Sequence, residues 1–248
     1  MQPRTPQDKA KHAAGETVVA DHVRSGMKLG LGSGTTSHWF VRALGDAVAG
    51  GLDVLGVPTS SGTRELAQQV GVPLVGLDEA GELDLAVDGA DEIDHTGAMI
   101  KGGGACLLWE RIVANAARSV IVVVDDTKLV DVLGSFPLPV EIVPFGWRTT
   151  QASVQRVLDD AGYPQPRITR READGEPVVT DSGNYILDAR LGHVHEPKWL
   201  DKVLNWVPGV VENGLFTGVA DTCVLARPDG VTDVRDVSGA RPARTIPR

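Results

Sequence analysis

The 248-residue chain has only two cysteines, Cys106 and Cys223, far apart. That excludes a disulfide framework and the paired-cysteine spacing of a zinc site. No apolar run approaches the length of a membrane span. The polar start MQPRTPQDKAKHAAGE lacks the apolar core of a signal peptide, so a cytoplasmic protein without membrane attachment is expected. Positive charge is also scarce, with 24 Lys and Arg against 33 Asp and Glu, a formal net charge of −9. This balance argues against nucleic acid or an anionic membrane as a main partner. A small anionic ligand stays open, because a few aligned amides and one or two lysines set the potential of a pocket. What is present, 42% hydrophobic and 23% charged residues, is ordinary for a soluble globular enzyme with a real core.

Apolar strand-like runs at 27–32, 52–57, 74–76, 83–87 and 119–124 alternate with helical segments at 6–25, 35–45, 64–70 and up to about 118. The run at 119–124, SVIVVV, has the β-branched composition of a strand buried on both faces. The alternation predicts an α/β fold: an open, mostly parallel Rossmann-like sheet with helices on both faces. After residue 135 the punctuation changes. FPLPVEIVP carries three prolines, and short runs at 167–171, 178–180 and 185–188 are separated by Asp-Gly and Ser-Gly-Asn turns. The expected division is a catalytic domain of residues 1–135 and 207–236, with a smaller α+β domain at 136–206. The tail 237–248, rich in Arg and Pro, is expected to be poorly ordered.

Four expected strand ends carry polar, donor-rich sequence, at 33–36, 59–63, 88–91 and 125–128. Ligands of open α/β sheets bind at such ends. The first, Gly32-Ser33-Gly34-Thr35-Thr36, places glycines and hydroxyls where backbone amides and a helix N-terminus can face an anion. A dinucleotide fingerprint would need glycine at Thr35, and a Walker loop would need Gly-Lys-Ser/Thr. A monophosphate cradle remains, beside the plainer alternative of a glycine-rich turn. The run Asp88-Gly89-Ala90-Asp91-Glu92 lacks calcium-loop spacing and is either an acidic turn or a site. Lys101-Gly102-Gly103-Gly104 offers amides and a cation, and Lys128 ends the fourth segment. Glu110 interrupts an apolar helix. A carboxyl in apolar surroundings has a raised pKa, which suits a general base near neutral pH. A neighbouring lysine can hold the charge that builds on oxygen when carbon loses a proton. Together these point to proton abstraction beside a carbonyl, with no metal or redox cofactor. His193 and His195 alternate as on a strand but lack a third metal ligand, and Cys106 has no adjacent base.

In combination these motifs resemble the type A family of ribose-5-phosphate isomerases. The resemblance runs from about residue 11 to residue 230 and rests on GSGTT (32–36), PTSSGT (58–63), DGADEID (88–94), KGGGA (101–105) and DDTKLVDVLG (125–134). It continues through FPLPVEIVP (136–144), VVTDSGNYILD (178–188) and PGVVENGLF (208–216). It implies reversible conversion of D-ribose 5-phosphate into D-ribulose 5-phosphate in the non-oxidative pentose phosphate pathway, through a cis-enediolate and without a required cofactor. A homodimer or homotetramer is also implied. The family's base maps onto Glu110. Substrate contacts map onto Ser33, Gly34, Thr35 and Thr36, onto Asp88, Gly89, Ala90 and Asp91, and onto Lys101, Gly102, Gly103 and Gly104. Lys128 and Lys11 complete the set. Asp88 is the expected ring-opening group, with Lys101 on the oxyanion and Asp88 or Asp91 passing a proton between oxygens. The phosphate is held either by the 33–36 loop or by Lys11 with the Lys101 turn. One departure is GSGTT where the family pattern is closer to GTGST, with a hydroxyl kept at each place. A sugar-phosphate deaminase and a CoA transferase are the nearest alternatives on a similar sheet.

Overall fold

The computed structural model describes residues 5–163, 165–227 and 232–237. Its main sheet has six strands in the order Thr232–Asp236, Thr222–Ala226, Ala117–Asp125, Leu83–Asp88, Met27–Leu31 and Val54–Pro58. All neighbours are parallel except the edge pair, where Thr232–Asp236 runs antiparallel to Thr222–Ala226. Side chains alternate across a strand. Ile121 and Val123 therefore enter one core with Ala14, Val18, Phe40 and Leu44 of the helices Pro6–His22 and Thr35–Ala49. Val120, Val122 and Val124 enter a second core with Leu107 and Val113 of the helix Leu107–Ala116. The open Rossmann-like sheet with helices on both faces is thus the observed architecture.

Local chemistry sets the helix starts. Thr5 caps Pro6–His22. Its hydroxyl accepts from the Asp8 amide at 3.0 Å while the Asp8 carboxylate accepts from the Thr5 amide at 3.2 Å, a reciprocal capping box. The helix Leu107–Ala116 passes directly into the strand at Ala117, two residues before the expected boundary.

A second, antiparallel sheet has the order Val210–Asn213, Leu138–Ile142, Tyr185–Arg190 and Arg167–Arg170. It buries Leu138, Val140 and Leu187 against the helices Trp147–Asp160 and Pro197–Asn205. Residues 210–213, expected to rejoin the main sheet, pair here instead, and the chain returns to the main sheet with Thr222–Ala226 and Thr232–Asp236. Between the sheets, Leu215–Phe216 pairs with Met99–Ile100, which pairs with Glu92–Ile93. The expected strands at 74–76 and 178–180 shrink to single bridges, Gly56 to Leu74 and Val179 to Tyr185. A short hairpin, Glu172–Ala173 with Glu176–Pro177, turns at Asp174 and Gly175, both at positive φ. His193 and His195 lie on no strand, and their rings meet edge to face at 4.4 Å. The tail expected to be poorly ordered lies, beyond Val237, outside the described residues.

Phe40 is fully buried beneath the two helices that close one face of the main sheet. Phe40→Ala is expected to cost about 3–5 kcal/mol, read as a lower urea midpoint at unchanged slope. Ile112→Ala, at a position 46% exposed, is expected to stay within about 0.5 kcal/mol.

Candidate active site

The chain leaves Met27–Leu31 toward Val54–Pro58 on one side and leaves Leu83–Asp88 toward Ala117–Asp125 on the other. Between the carboxyl ends of these two central strands lies the crevice where open α/β sheets take ligands. A cleft of about 490 Å³ occupies it. Its lining consists of Ser33, Gly34, Thr35, Thr36, Gly89, Ala90, Asp91, Lys101, Gly102, Gly103, Gly104, Glu110 and Lys128. All of these were expected from sequence. Asp88 and Lys11, the remaining two, stand behind this lining rather than in it.

The centre of the site is the Lys101 ammonium, 4% exposed. It lies 3.1 Å from Asp88 Oδ2 and 3.4 Å from Glu110 Oε1, and donates to the Gly89 carbonyl at 2.5 Å. Its backbone amide donates to Gly214 at 2.9 Å, and the Phe216 ring centroid is 5.7 Å from Nζ. Burial pulls the Lys101 pKa down, but the charges of Asp88 and Glu110 outweigh it and leave the ammonium more firmly protonated than usual. Asp88 Oδ1 accepts three bonds, from the Ser33 amide (3.0 Å), the Ser37 hydroxyl (3.1 Å) and the Gly89 amide (2.7 Å). Gly32 makes that approach possible, since a Cβ there would lie 2.1 Å from Asp88 Oδ1.

Glu110 is 6% exposed. Its Oε2 is buried and takes no hydrogen-bond partner among the described residues. Burial pushes the carboxyl up from its ordinary value near 4.5 to about 8. The Lys101 charge opposes the rise, and the negative charges of Asp88 and Asp91 add to it. Asp91 is less enclosed, with Oδ2 accepting from the Gly103 amide at 2.7 Å. Burial and the Glu110 charge raise the Cys106 thiol to about 11, which leaves it a poor nucleophile.

Two expected contacts point elsewhere. The Ser33 hydroxyl turns inward to Thr59, Ser60 and Thr63 at 2.7, 2.8 and 3.1 Å. The donor-rich segment 59–63 therefore braces the 33–36 loop from behind instead of lining the cleft. Lys11 Nζ lies 3.2 Å from both Asp125 Oδ2 and Thr35 Oγ1. Burial raises the Asp125 carboxyl, but hydrogen bonds from Thr127 and Lys11 outweigh it and hold the group below the usual carboxylate range. Ser37, Gly214 and Phe216 received no role from the sequence, although the last two lie in the PGVVENGLF segment. Ser37 follows the hydroxyl-rich loop by one residue, the only local sign of its part. No group of three or more His, Cys, Asp or Glu side chains among the described residues could hold a metal ion.

The fold, with its cleft at the switch point of a parallel sheet, is that of an α/β enzyme. Residues 55–230 match the family model of ribose 5-phosphate isomerase A, also called phosphoriboisomerase A. The chain is 52% identical over 230 residues to ribose-5-phosphate isomerase A 2 of Yersinia pseudotuberculosis, covering 92% of this chain and 98% of that one. It is 49% identical to ribose-5-phosphate isomerase A of Cereibacter sphaeroides, covering 96% and 95%. Among solved structures, ribose 5-phosphate isomerase A of Methanocaldococcus jannaschii superposes with a TM-score of 0.83 at 38% identity, covering 93% and 99%. A D-ribose-5-phosphate isomerase in complex with phospho-erythronic acid gives 0.84 at 33% identity, covering 92% and 98%. The chain belongs to the ribose 5-phosphate isomerase A family, and it is an isomerase.

A carboxyl whose folded pKa lies above its unfolded one binds more protons when folded, so its contribution to stability falls as pH rises between the two values. Wild type is therefore expected to lose stability relative to Glu110→Gln as pH climbs from about 4.5 to about 8. Chemical denaturation across that range measures it, and a constant difference would contradict the raised pKa.

Proposed function

We propose that the enzyme interconverts D-ribose 5-phosphate and D-ribulose 5-phosphate through a cis-enediolate, with Glu110 carrying the proton between the second and first carbons. The observation that carries this is Glu110 Oε2, a buried carboxylate oxygen without a partner in a residue that lines the cleft. A base that must also return its proton works best with a pKa near the operating pH, and the value near 8 meets that need. Lys101, tethered by Asp88 and Gly89, cannot swing away and serves as fixed counter-charge for the enediolate oxygen. The relative solved with phospho-erythronic acid, a phosphorylated sugar acid, supports a sugar phosphate as the occupant.

Asp88 has its Oδ1 committed to three donors and its Oδ2 to Lys101, so ring opening and proton exchange between the sugar oxygens are better assigned to Asp91. Asp91 lines the cleft, and among the described residues its side chain holds only the Gly103 amide. The same reasoning selects between the two phosphate poses. Lys101 and Lys11, the cations of the second pose, are both paired with carboxylates, whereas the 33–36 loop opens the helix Thr35–Ala49 with its first amides toward the cleft. The helix N-terminus is the better phosphate seat, with Lys128 at the rim.

Glu110→Gln should lower turnover of ribose 5-phosphate by at least about 10²–10⁴-fold while calorimetric substrate binding persists. Full turnover would exclude Glu110 as the base. In wild type, kcat/KM should rise with pH as Glu110 loses its proton, with a limb near 8. Asp91→Asn removes a negative charge that holds that proton, so the limb should move to lower pH. A limb that stays or moves upward contradicts the coupling.

A further inference from the structure

Arg171 reaches from the smaller sheet to the glycine-rich turn of the cleft and takes no part in the proton transfers above. Its Nε and Nη2 donate to Asp188 Oδ2 and Oδ1 at 2.9 and 2.5 Å. Its Nη1 donates to the carbonyls of Gly102 and Gly103 at 2.8 and 3.0 Å. A guanidinium is planar and rigid, so the two-point grip of a carboxylate on one edge fixes the direction of the remaining N–H groups. The Asp188 side chain sits on the strand Tyr185–Arg190, and both partners are mostly buried.

The consequence for the cleft follows from peptide geometry. In a trans peptide the carbonyl and the N–H point in opposite directions. Drawing the carbonyls of Gly102 and Gly103 toward Arg171 turns the amides of Gly103 and Gly104 away from it. The Gly103 amide meets Asp91 Oδ2 at 2.7 Å. The Gly104 amide takes no partner among the described residues, in a residue that lines the cleft. Glycines have no side chain to set their own orientation, and a run of three is free unless something outside holds it. We infer that Arg171, held by Asp188, is a positioning residue for the isomerisation, aiming the Gly103 amide at Asp91 and the Gly104 amide at a substrate oxygen. It touches no substrate itself and acts through the loop. This rests on the function proposed above.

The test uses the full chain with ribose 5-phosphate as substrate and two variants, Arg171→Met and Arg171→Lys. An ammonium cannot grip a carboxylate at two points and two carbonyls at once, so both variants are expected to lose about 10–100-fold in kcat/KM, chiefly in kcat. Misplacement by about 1 Å can cost such a factor. In a double-mutant cycle, Arg171→Met should cost clearly less in an Asp91→Ala background than in wild type, because one amide it aims has lost its acceptor. Wild-type kinetics in Arg171→Lys, or full additivity with Asp91→Ala, overturns the inference. So does failure of both variants to fold, which would make the guanidinium a staple of the smaller sheet. Glu110→Gln assayed alongside keeps the two ideas apart. If it retains turnover, the assignment of the base fails whatever Arg171 does. If it is inactive while both Arg171 variants match wild type, only the clamp fails.

Discussion

The structure turns on one buried cation between two carboxylates. Removing the Lys101 ammonium from water is costly unless opposite charge and hydrogen bonds replace the lost solvation. Asp88, Glu110 and the Gly89 carbonyl supply both. One lysine cannot balance two ionised acids, however, and Asp91 adds a third negative charge nearby. A proton kept on one acid reduces that excess of negative charge. Asp88 has donors on both oxygens, whereas Glu110 has an oxygen with none. The spare proton therefore falls to Glu110, and its raised pKa is the electrostatic outcome of the arrangement. In the proposed reaction, proton transfer from carbon to Glu110 neutralises the carboxylate as negative charge appears on the enediolate. The total charge around Lys101 stays constant, so the site need not import or expel a charge during the chemical step.

The segment that leaves the second sheet supports this site from behind without lining it. Gly214, next to the strand Val210–Asn213, accepts the Lys101 amide, and Phe216 lies beneath its side chain. A Cβ at Gly214 would stand 2.3 Å from the Lys101 carbonyl. The return of residues 210–216 past the smaller sheet thus fixes the backbone of the central lysine, and the two sheets share a single polar centre.

Much of this was legible in the sequence because the signals were local. The main strands are short apolar runs bounded by polar turns, and SVIVVV could be little else than a strand covered on both sides. The cleft was legible because its residues cluster in a few glycine-rich and acidic segments at strand ends. What stayed hidden depends on partners distant in the chain. The Ser33 hydroxyl turns inward only because the 59–63 segment folds behind it. The pairing of Val210–Asn213 is a choice between sheets, and a strand's own residues do not encode its neighbour. Arg171 lies 69 residues from Gly102, at the end of a short strand-like run whose own residues do not name so distant a partner.

The two aspartates of the DGAD segment explain why its spacing suits this cleft. The glycines of each loop bring no side chain of their own to fix the neighbouring amides, so an acceptor helps to hold each loop. Asp88 accepts the Ser33 amide and the Ser37 hydroxyl, and so fixes the loop that opens the helix Thr35–Ala49. Asp91 accepts the Gly103 amide and fixes the loop before the helix Leu107–Ala116. The Asp91 amide itself donates to the Ile100 carbonyl at 2.9 Å, which joins the second acid to the strand that carries Lys101. Two residues, Gly89 and Ala90, separate the acids, enough for the chain to leave its strand and face the opposite wall. A single short segment therefore orients both banks of amides around Lys101, and glycine can be used on both sides without leaving either loop free to turn.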